Sequence, residues 1–220
     1  MRVIVFGAGG HVGSAVCKRL SKGNDVLAMT KRGYNVVTKY GETRMPMTKA
    51  IDAAVFCVGH CPPGGFLKAI SSPLSKFSPV EFEREMEIHV RGAFNVFQDY
   101  LSRIRDGGCF AYLSGAATRI LQMPRVMRPH IQMYPHVAML SAMDALIEGM
   151  RMDPMVEERN IKIHLIKPPA IGDSPFHKVK GGLKLLVSVT TDEVVDAIVR
   201  SLDAESHLDI LVEPTPQTAL

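Results

Sequence analysis

The chain has 220 residues, 46% of them apolar and 22% charged, with a formal net charge of +4, and we expect one globular domain over residues 1–220. The weak positive charge does not by itself indicate a nucleic-acid partner, and no apolar run is long enough to span a membrane. The sequence begins directly with a predicted strand rather than a secretory signal, so we expect a cytoplasmic protein with no membrane partner. We expect no nucleic-acid partner either, because the basic loops come without an aromatic stacking platform.

The first residues predict a buried strand, a tight turn and a helix. Residues 2–6 are mostly apolar, and a helical spacing of apolar residues follows the turn. The turn carries Gly7, Gly9, Gly10 and Gly13. Gly7 lets the chain leave the strand sharply, and Gly13 lets the helix pack against the sheet. Gly9 and Gly10 leave backbone amides open to a pyrophosphate, which would also meet the helix start at His11 and Val12. The pattern predicts a dinucleotide-binding site.

The second strand, predicted over residues 25–29, is followed by Thr30, Lys31 and Arg32. Proteins that prefer NAD usually place an acid at this position, where it binds the adenosine ribose hydroxyls. This chain has no acid there, and Lys31 and Arg32 could neutralise a 2′-phosphate. The pair favours NADP over NAD as the cofactor. Two basic residues after a strand are otherwise an ordinary solvated turn.

The middle of the chain predicts further strands and helices in alternation. Residues 34–38 suggest a vestigial third strand, and residues 52–60 a buried strand that ends in glycine. A capping box at Ser78 opens a long helix over residues 78–104, with an apolar stripe that includes Phe94. The later elements are a strand over 107–115, a helix near 135–152, a strand over 160–166, a helix over 194–202 and a strand over 208–212.

This alternation predicts an α/β fold, a single-domain Rossmann-like doubly wound parallel sheet with helices on both faces. Four cysteines, Cys17, Cys57, Cys61 and Cys109, fall in or beside predicted core elements. We interpret them as buried, reduced thiols and predict no metal site, because the spacing of Cys57 and Cys61 has no second ligand pair.

Several motifs resemble those of the short-chain dehydrogenases/reductases, in the same order, over about residues 1–213. They are the turn with Gly7, Gly10 and Gly13, the strand ending at Gly59, residues 81–104 with their Arg91-Gly92-Ala93-Phe94 centre, residues 112–115, and residues 165–171. The resemblance implies hydride transfer between NAD(P)H and a small carbonyl or alcohol substrate. It places Val58 and Gly59 beside the adenine and ribose, and Pro168 and Ile171 over the nicotinamide. It also implies a homodimer or homotetramer formed through the long helix.

The catalytic residues of the family are mostly missing from the matching positions. Ser114 follows the appropriate strand and could polarise a carbonyl, although the register could instead place Gly115 there. The tyrosine and lysine positions hold Val137 and Ser141, and no lysine occurs between residues 76 and 162. His89 stands at the position of the supporting asparagine. The remaining phenol near this helix is Tyr134, which we take as a displaced acid tuned by His89 or His136, or else as a packing residue.

Basic residues accumulate where the resemblance places the mouth of the site. They are Arg119, Arg125, Arg128, His130, His136, His177, Lys178, Lys180 and Lys184. One explanation is an anionic substrate or partner. The other is that these loops carry ordinary surface charge. For the whole chain the sequence favours an NADP(H)-dependent oxidoreductase. The alternative is a non-catalytic dinucleotide-binding sensor or scaffold.

Overall fold

A computed structural model describes residues 1–41, 50–59, 74–118, 134–173 and 188–214. The strands are β1 Arg2–Phe6, β2 Asp25–Met29, β3 Ile51–Phe56, β4 Ile104–Leu113, β5 Lys162–Lys167, β6 Ala170–Ile171, β7 Ser188–Val189 and β8 Leu208–Leu211. The α-helices are α1 His11–Leu20, α2 Pro79–Met86, α3 Gly92–Tyr100, α4 Tyr134–Arg151, α5 Pro154–Glu158 and α6 Thr191–Ser201. None of these helices is long and apolar enough to cross a membrane.

The main sheet has six parallel strands in the order β2-β1-β3-β4-β5-β8. Strands β6 and β7 form a separate parallel pair. The order runs outward in both directions from β1 and β3, so the chain reverses its winding between these two strands. In doubly wound sheets ligands bind in the crevice at the carboxyl ends of the strands flanking this reversal. The expected α/β fold is confirmed.

Helices cover both faces of the sheet. One face packs on α3 and α4 through a core that includes Phe6, Phe56 and Tyr112. The other packs on α1 and α6 through a core that includes Val5, Val55 and Ile198. Strands buried on both faces explain why β1 and β3 are apolar at nearly every position instead of alternating.

The predicted third strand is absent from the described part of the chain. The main chain after β2 forms turns, with one isolated antiparallel bridge between Asn35 and Tyr40. Asn95 of α3 binds main-chain groups that a strand would pair with its neighbour. Its Nδ2 donates to the carbonyl oxygens of Val36 and Val37 at 2.7 and 3.2 Å. The sequence also suggests a turn or short helix over residues 43–50, of which residues 43–49 lie outside the described residues.

The long helix of the sequence prediction is a run of four helical segments. Ser78 caps α2 by accepting a hydrogen bond from the Glu81 amide at 3.5 Å, which is the side-chain half of the expected capping box. A π-helical turn, Glu87–Arg91, joins α2 to α3, and a 3₁₀ turn, Leu101–Arg103, follows α3. Ile104 was placed in the helix and in fact begins β4.

The apolar stripe that includes Phe94 is largely buried, since Phe97 and Leu101 are 6% and 7% exposed. Ala93, Val96 and Tyr100 face the sheet, whereas Phe94 is 40% exposed.

The three cysteines in the described residues are reduced. Burial raises the pKa of the Cys57 and Cys109 thiols to about 12, and it raises the pKa of Cys17 as well. These thiols therefore stay protonated at neutral pH and act as small apolar side chains. Cys61 lies outside the described residues.

Candidate functional site

The glycine turn after β1 has the geometry that a bound pyrophosphate needs. The amides of Gly7 and Ala8 both donate to the Met29 carbonyl oxygen, at 3.0 and 3.1 Å, which fixes the turn against β2. Gly7 has φ +81°, and a Cβ atom there would lie 2.6 Å from the Cys57 carbonyl oxygen. A Cβ at Gly13 would lie 2.2 Å from the Gly7 carbonyl oxygen. Neither position can hold a side chain without moving main-chain atoms.

The same turn leaves space where a cofactor would lie. At Gly9 the nearest neighbour of an added Cβ is Thr30 Cγ2 at 3.7 Å, which is ordinary contact, and Gly9 and Gly10 are exposed. Helix α1 begins immediately afterwards, and the amides of its first turn, from His11 onward, have no acceptor within the helix. Bare amides at a helix N-terminus bind phosphate, so these residues fit a dinucleotide pyrophosphate.

Lys31 and Arg32 are both exposed in the turn that follows β2 and Thr30. Through Thr30 this turn adjoins Gly9, so the two cations lie on the β2 side of the glycine turn. That side is where the adenosine ribose of a dinucleotide would be expected.

His11 connects the glycine turn to a distant part of the chain. Its Nε2 lies 2.7 Å from Thr191 Oγ1 at the start of α6. Thr191 Oγ1 in turn donates to Asp173 Oδ1 at 2.8 Å, so the hydroxyl oxygen accepts from the imidazole N–H. The Thr191 amide donates to the same Asp173 oxygen at 2.9 Å. The sequence analysis placed His11 at the site and gave no indication of this bridge.

His89 and Glu85 lie at the carboxyl end of β3. The His89 ring carbon Cε1 is 3.8 Å from the place a Cβ on Gly59 would occupy, while Gly59 is itself exposed and Val58 is half-buried. His89 Nε2 lies 3.5 Å from Glu85 Oε2, one helical turn earlier. Burial raises the Glu85 pKa to about 7, a rise that Glu81 reinforces and Arg84 opposes. The sequence analysis did not single out Glu85.

Ser114, at the end of β4, faces helix α4. Its Oγ donates to Asp144 Oδ1 at 3.3 Å, and Asp144 Oδ2 accepts from Lys167 Nζ at 3.0 Å. While it donates to Asp144, the Ser114 hydroxyl offers only lone pairs to a ligand. Gly115 faces Leu140, since a Cβ there would lie 3.1 Å from Leu140 Cδ1. Sequence reasoning missed both Asp144 and Lys167.

The ion pair of Asp144 and Lys167 beside Ser114 is part of a longer chain of ion pairs. Lys167 Nζ also contacts Asp209 Oδ2 at 3.2 Å, and Asp209 Oδ1 accepts from Arg151 Nη2 at 2.7 Å. Burial alone would raise the Asp209 pKa, but hydrogen bonds from Arg151 and Lys167 outweigh it and lower the pKa. Burial would likewise lower the Lys167 pKa, and its bonds with Asp144 and Asp209 raise it instead. The alternating charges hold α4 on the strands beneath it.

The remaining predicted residues lie around the same edge of the sheet. Pro168 is buried, and its carbonyl oxygen accepts from the Ala116 amide at 2.8 Å, while Ile171 pairs with Val189 in the small sheet. Tyr134 is the first residue of α4, and its side chain lies outside the described part of the structure. Val137 is buried, and Ser141, at the position of the family lysine, is half-buried.

The predicted basic mouth cannot be traced in the described residues, apart from His136. Burial lowers the pKa of His136 to about 4, so at neutral pH this imidazole is uncharged. It therefore adds no positive charge at neutral pH. The others, Arg119, Arg125, Arg128, His130, His177, Lys178, Lys180 and Lys184, lie outside the described residues.

Comparison with known proteins finds similarity in fold and not in amino-acid sequence. The amino-acid sequence matches no protein-family model and no curated protein sequence. The protein lin1944 from Listeria innocua superposes with a TM-score of 0.73 at 19% identity, over 96% of this chain and 99% of that one. A small-chain dehydrogenase in complex with NADPH gives 0.72 at 16% identity, over 97% and 96%.

A third similar structure is the sorbitol-6-phosphate 2-dehydrogenase SrlD from Erwinia amylovora, with a TM-score of 0.71 at 14% identity over 96% of this chain and 97% of that one. The similarity extends over nearly the whole of each chain, so it concerns the complete sheet and its helices. The resemblance drawn from the sequence motifs is thereby confirmed at the level of architecture: the chain has the fold of the short-chain dehydrogenases/reductases.

Proposed function

We propose that the protein is an NADP(H)-dependent oxidoreductase of the short-chain dehydrogenase/reductase type, acting on a small carbonyl or alcohol substrate. The observation that carries the proposal is the glycine turn. Side chains are excluded at Gly7 and Gly13 by main-chain atoms, while Gly9 and Gly10 are exposed and the amides at the start of α1 have no acceptor within the helix. A turn that only reversed the chain would not need this combination.

The preference for NADP rests on the turn after β2. Lys31 and Arg32 are exposed there, on the β2 side of the glycine turn, and no acid accompanies them. Hydrogen bonds to a charged group contribute about 1.5–3 kcal/mol each, so two cations on a 2′-phosphate would separate NADPH from NADH by at least about tenfold. Val58 and Gly59 would adjoin the adenosine half, and Pro168 and Ile171 the nicotinamide half.

When bound, the nicotinamide supplies or takes up the hydride. The residues of this chain bind, orient and handle the proton. His89, beside Gly59, is the group we propose to exchange a proton with the substrate oxygen. Ser114 would orient the substrate, accepting from a substrate hydroxyl in its observed position and donating to a carbonyl only after turning from Asp144. Tyr134 remains a second candidate for the acid.

The test is a calorimetric titration of the protein with NADPH, NADH, NADP⁺ and NAD⁺. We expect NADPH to bind best, Lys31→Glu with Arg32→Glu to weaken NADPH at least about tenfold with little change for NADH, and Gly13→Val to abolish binding. Lys22→Glu, an exposed position after α1, is the matched charge control. Absence of binding to all four dinucleotides would refute the proposal.

Turnover separates the enzyme from the alternative of a non-catalytic sensor. An enzyme oxidises NADPH with at least one member of a panel of aldehydes, ketones and quinones, and loses this activity in His89→Gln. A protein that binds NADPH and oxidises it with none of them would favour the sensor.

A further inference from the structure

Glu85 is a buried carboxylate that the fold does not need. It is only 5% exposed, and its Oε1 is buried without a hydrogen-bond partner in the described part of the structure. An unsatisfied buried carboxylate oxygen destabilises a protein by several kcal/mol when ionised. The folded protein would be more stable with an apolar residue than with Glu85 at this inward-facing position of α2. The position of Glu85 therefore indicates a role other than packing.

The neighbour of Glu85 supplies that role. His89 lies one turn further along, with Nε2 at 3.5 Å from Glu85 Oε2, and its ring adjoins Gly59 at the exposed end of β3. The π-helical turn Glu87–Arg91 contains His89. Single π-helical turns are rare and occur often at functional sites, because they re-aim one side chain. The geometry brings a buried acid and an imidazole together beside the place proposed for the cofactor.

We infer that Glu85 and His89 form a proton-holding pair, in which Glu85 is a positioning residue and His89 the group that meets the substrate. This inference rests on the proposed function. It adds a specific source for the proton that the missing tyrosine and lysine would otherwise provide. The burial-raised pKa of Glu85, about 7, agrees with a pair that takes up and releases one proton near neutral pH.

The proton and electron balance is complete. Reduction of a carbonyl needs one hydride, which reduced nicotinamide supplies to the carbon, and one proton for the oxygen. The pair supplies the proton from His89 Nε2 or Nδ1, and afterwards Glu85 is a carboxylate and His89 is neutral. Oxidation of an alcohol reverses both transfers, so the pair takes the hydroxyl proton while the carbon loses its hydride.

Among the described residues, the charged groups around the pair belong to its own helical run and to the helices packed against it. On its own helical run the nearest are Glu81 and Arg84, which act on Glu85 in opposite directions, while Glu87 pairs with Arg91. Helices α3 and α4 pack against this run. On α3 the titratable groups are Asp99 and Tyr100. On α4 they are Tyr134, His136, Asp144, Glu148 and Arg151, of which Asp144 bonds Lys167 and Glu148 bonds Arg151.

The first experiment needs no cofactor. Histidine ring signals of ¹³C-labelled protein are followed by NMR from pH 5 to 9, with His89 assigned from a His89→Gln spectrum. We expect two coupled titration steps, and Glu85→Gln to remove one of them and lower the His89 midpoint by about one unit or more. Glu87→Gln, an exposed carboxylate in the same helical run, is the control and should leave His89 unchanged. An unaltered midpoint in Glu85→Gln would overturn the inference.

The second experiment links the pair to the cofactor. NADP⁺ carries a positive charge on its nicotinamide that NADPH lacks, so its binding beside the pair should release part of a proton. Calorimetry in phosphate and Tris at pH 7 measures that release. We expect it for NADP⁺ and not for NADPH, and its loss in Glu85→Gln but not in Glu87→Gln. Equal release in all three proteins would contradict the inference, whereas the failure of every dinucleotide to bind would contradict the proposed function.

Discussion

Burial shifts two titratable side chains of this fold in opposite directions. It favours the protonated, neutral form of Glu85 and raises its pKa to about 7, and it favours the deprotonated, neutral form of His164 and lowers its pKa to about 4. Glu85 Oε2 lies 3.5 Å from His89 Nε2, in the pair proposed above to hold a proton. His164 is fully buried in β5, and neither ring nitrogen has a hydrogen-bond partner in the described part of the structure. Substituting His164 should therefore change the free energy of unfolding and leave the activity unchanged.

We predict that His164 makes the protein sensitive to mild acid. Burial lowers its pKa from 6.5 to about 4, with smaller effects of Arg151, His207 and Lys162. The unfolded chain takes up the proton first, so stability is lost as the pH falls from 6.5 toward 4, by about 2 kcal/mol at pH 5. Urea unfolding at pH 7.5 and 5 should show this loss in the natural protein and a smaller one in His164→Leu.

Ile166→Leu is the control, since Ile166 is also fully buried two residues along β5 and does not titrate. Its unfolding free energy should depend on pH as that of the natural protein does. A His164→Leu protein with the same loss at pH 5 as the natural protein would show that other groups govern the acid sensitivity.

At the scale of elements, the sequence predicted the features that depend on residues close together in the chain. The strand, glycine turn and helix of residues 2–20 and the cap at Ser78 both involve residues a few positions apart. The bonds of Ser114 with Asp144, and of His11 with Thr191, join residues 30 and 180 positions apart. No local pattern encodes such pairs, and only the packing of α4 and α6 on the sheet creates them.

The failed third strand has the same cause. Residues 34–38 have the composition of a strand, and Asn95, about sixty residues away, takes the carbonyl groups that strand pairing would use. Local propensity predicts only what a segment would do alone, and tertiary contacts decide between near-equal alternatives.

We predict that Lys167 ties α4 to the sheet. Lys167→Met leaves Asp144 without its cation and should lower the unfolding free energy by about 1–3 kcal/mol at pH 7, because a partly buried carboxylate loses its partner. The difference should narrow as the pH falls through the lowered pKa of Asp209, because the protonated carboxyl no longer pairs with Lys167. Lys162→Met, the same change on the same strand, should stay within about 0.5 kcal/mol of the natural protein. Equal effects of the two substitutions in urea unfolding would exclude the tie.

At the scale of the whole molecule, helix α3 leaves a large apolar side chain in solvent. Phe94 is 40% exposed on the side of α3 away from the sheet. We propose that a second copy of the chain covers this face, in line with the homodimer or homotetramer expected from the family resemblance. A dimer would also hold the helical run that carries Glu85 and His89.

Light scattering with size-exclusion chromatography tests the assembly. We predict a dimer or tetramer for the natural protein and a monomer for Phe94→Glu, since a charge in an apolar interface is strongly unfavourable. Met155→Glu introduces the same charge at a similarly exposed apolar residue of α5 and should leave the assembly intact. A monomeric natural protein would refute the proposal.

The π-helical turn Glu87–Arg91 has a consequence for how this chain can change by insertion and deletion. One residue corresponds to about 100° of rotation in an α-helix. Deleting a single residue from this turn would restore regular helix, and everything before it would rotate by that angle relative to α3. Glu85 would then leave the core and an exposed neighbour would replace it. The prediction concerns related chains that lack one residue of this turn and are otherwise of equal length. Such chains should have no carboxylate facing the histidine that corresponds to His89.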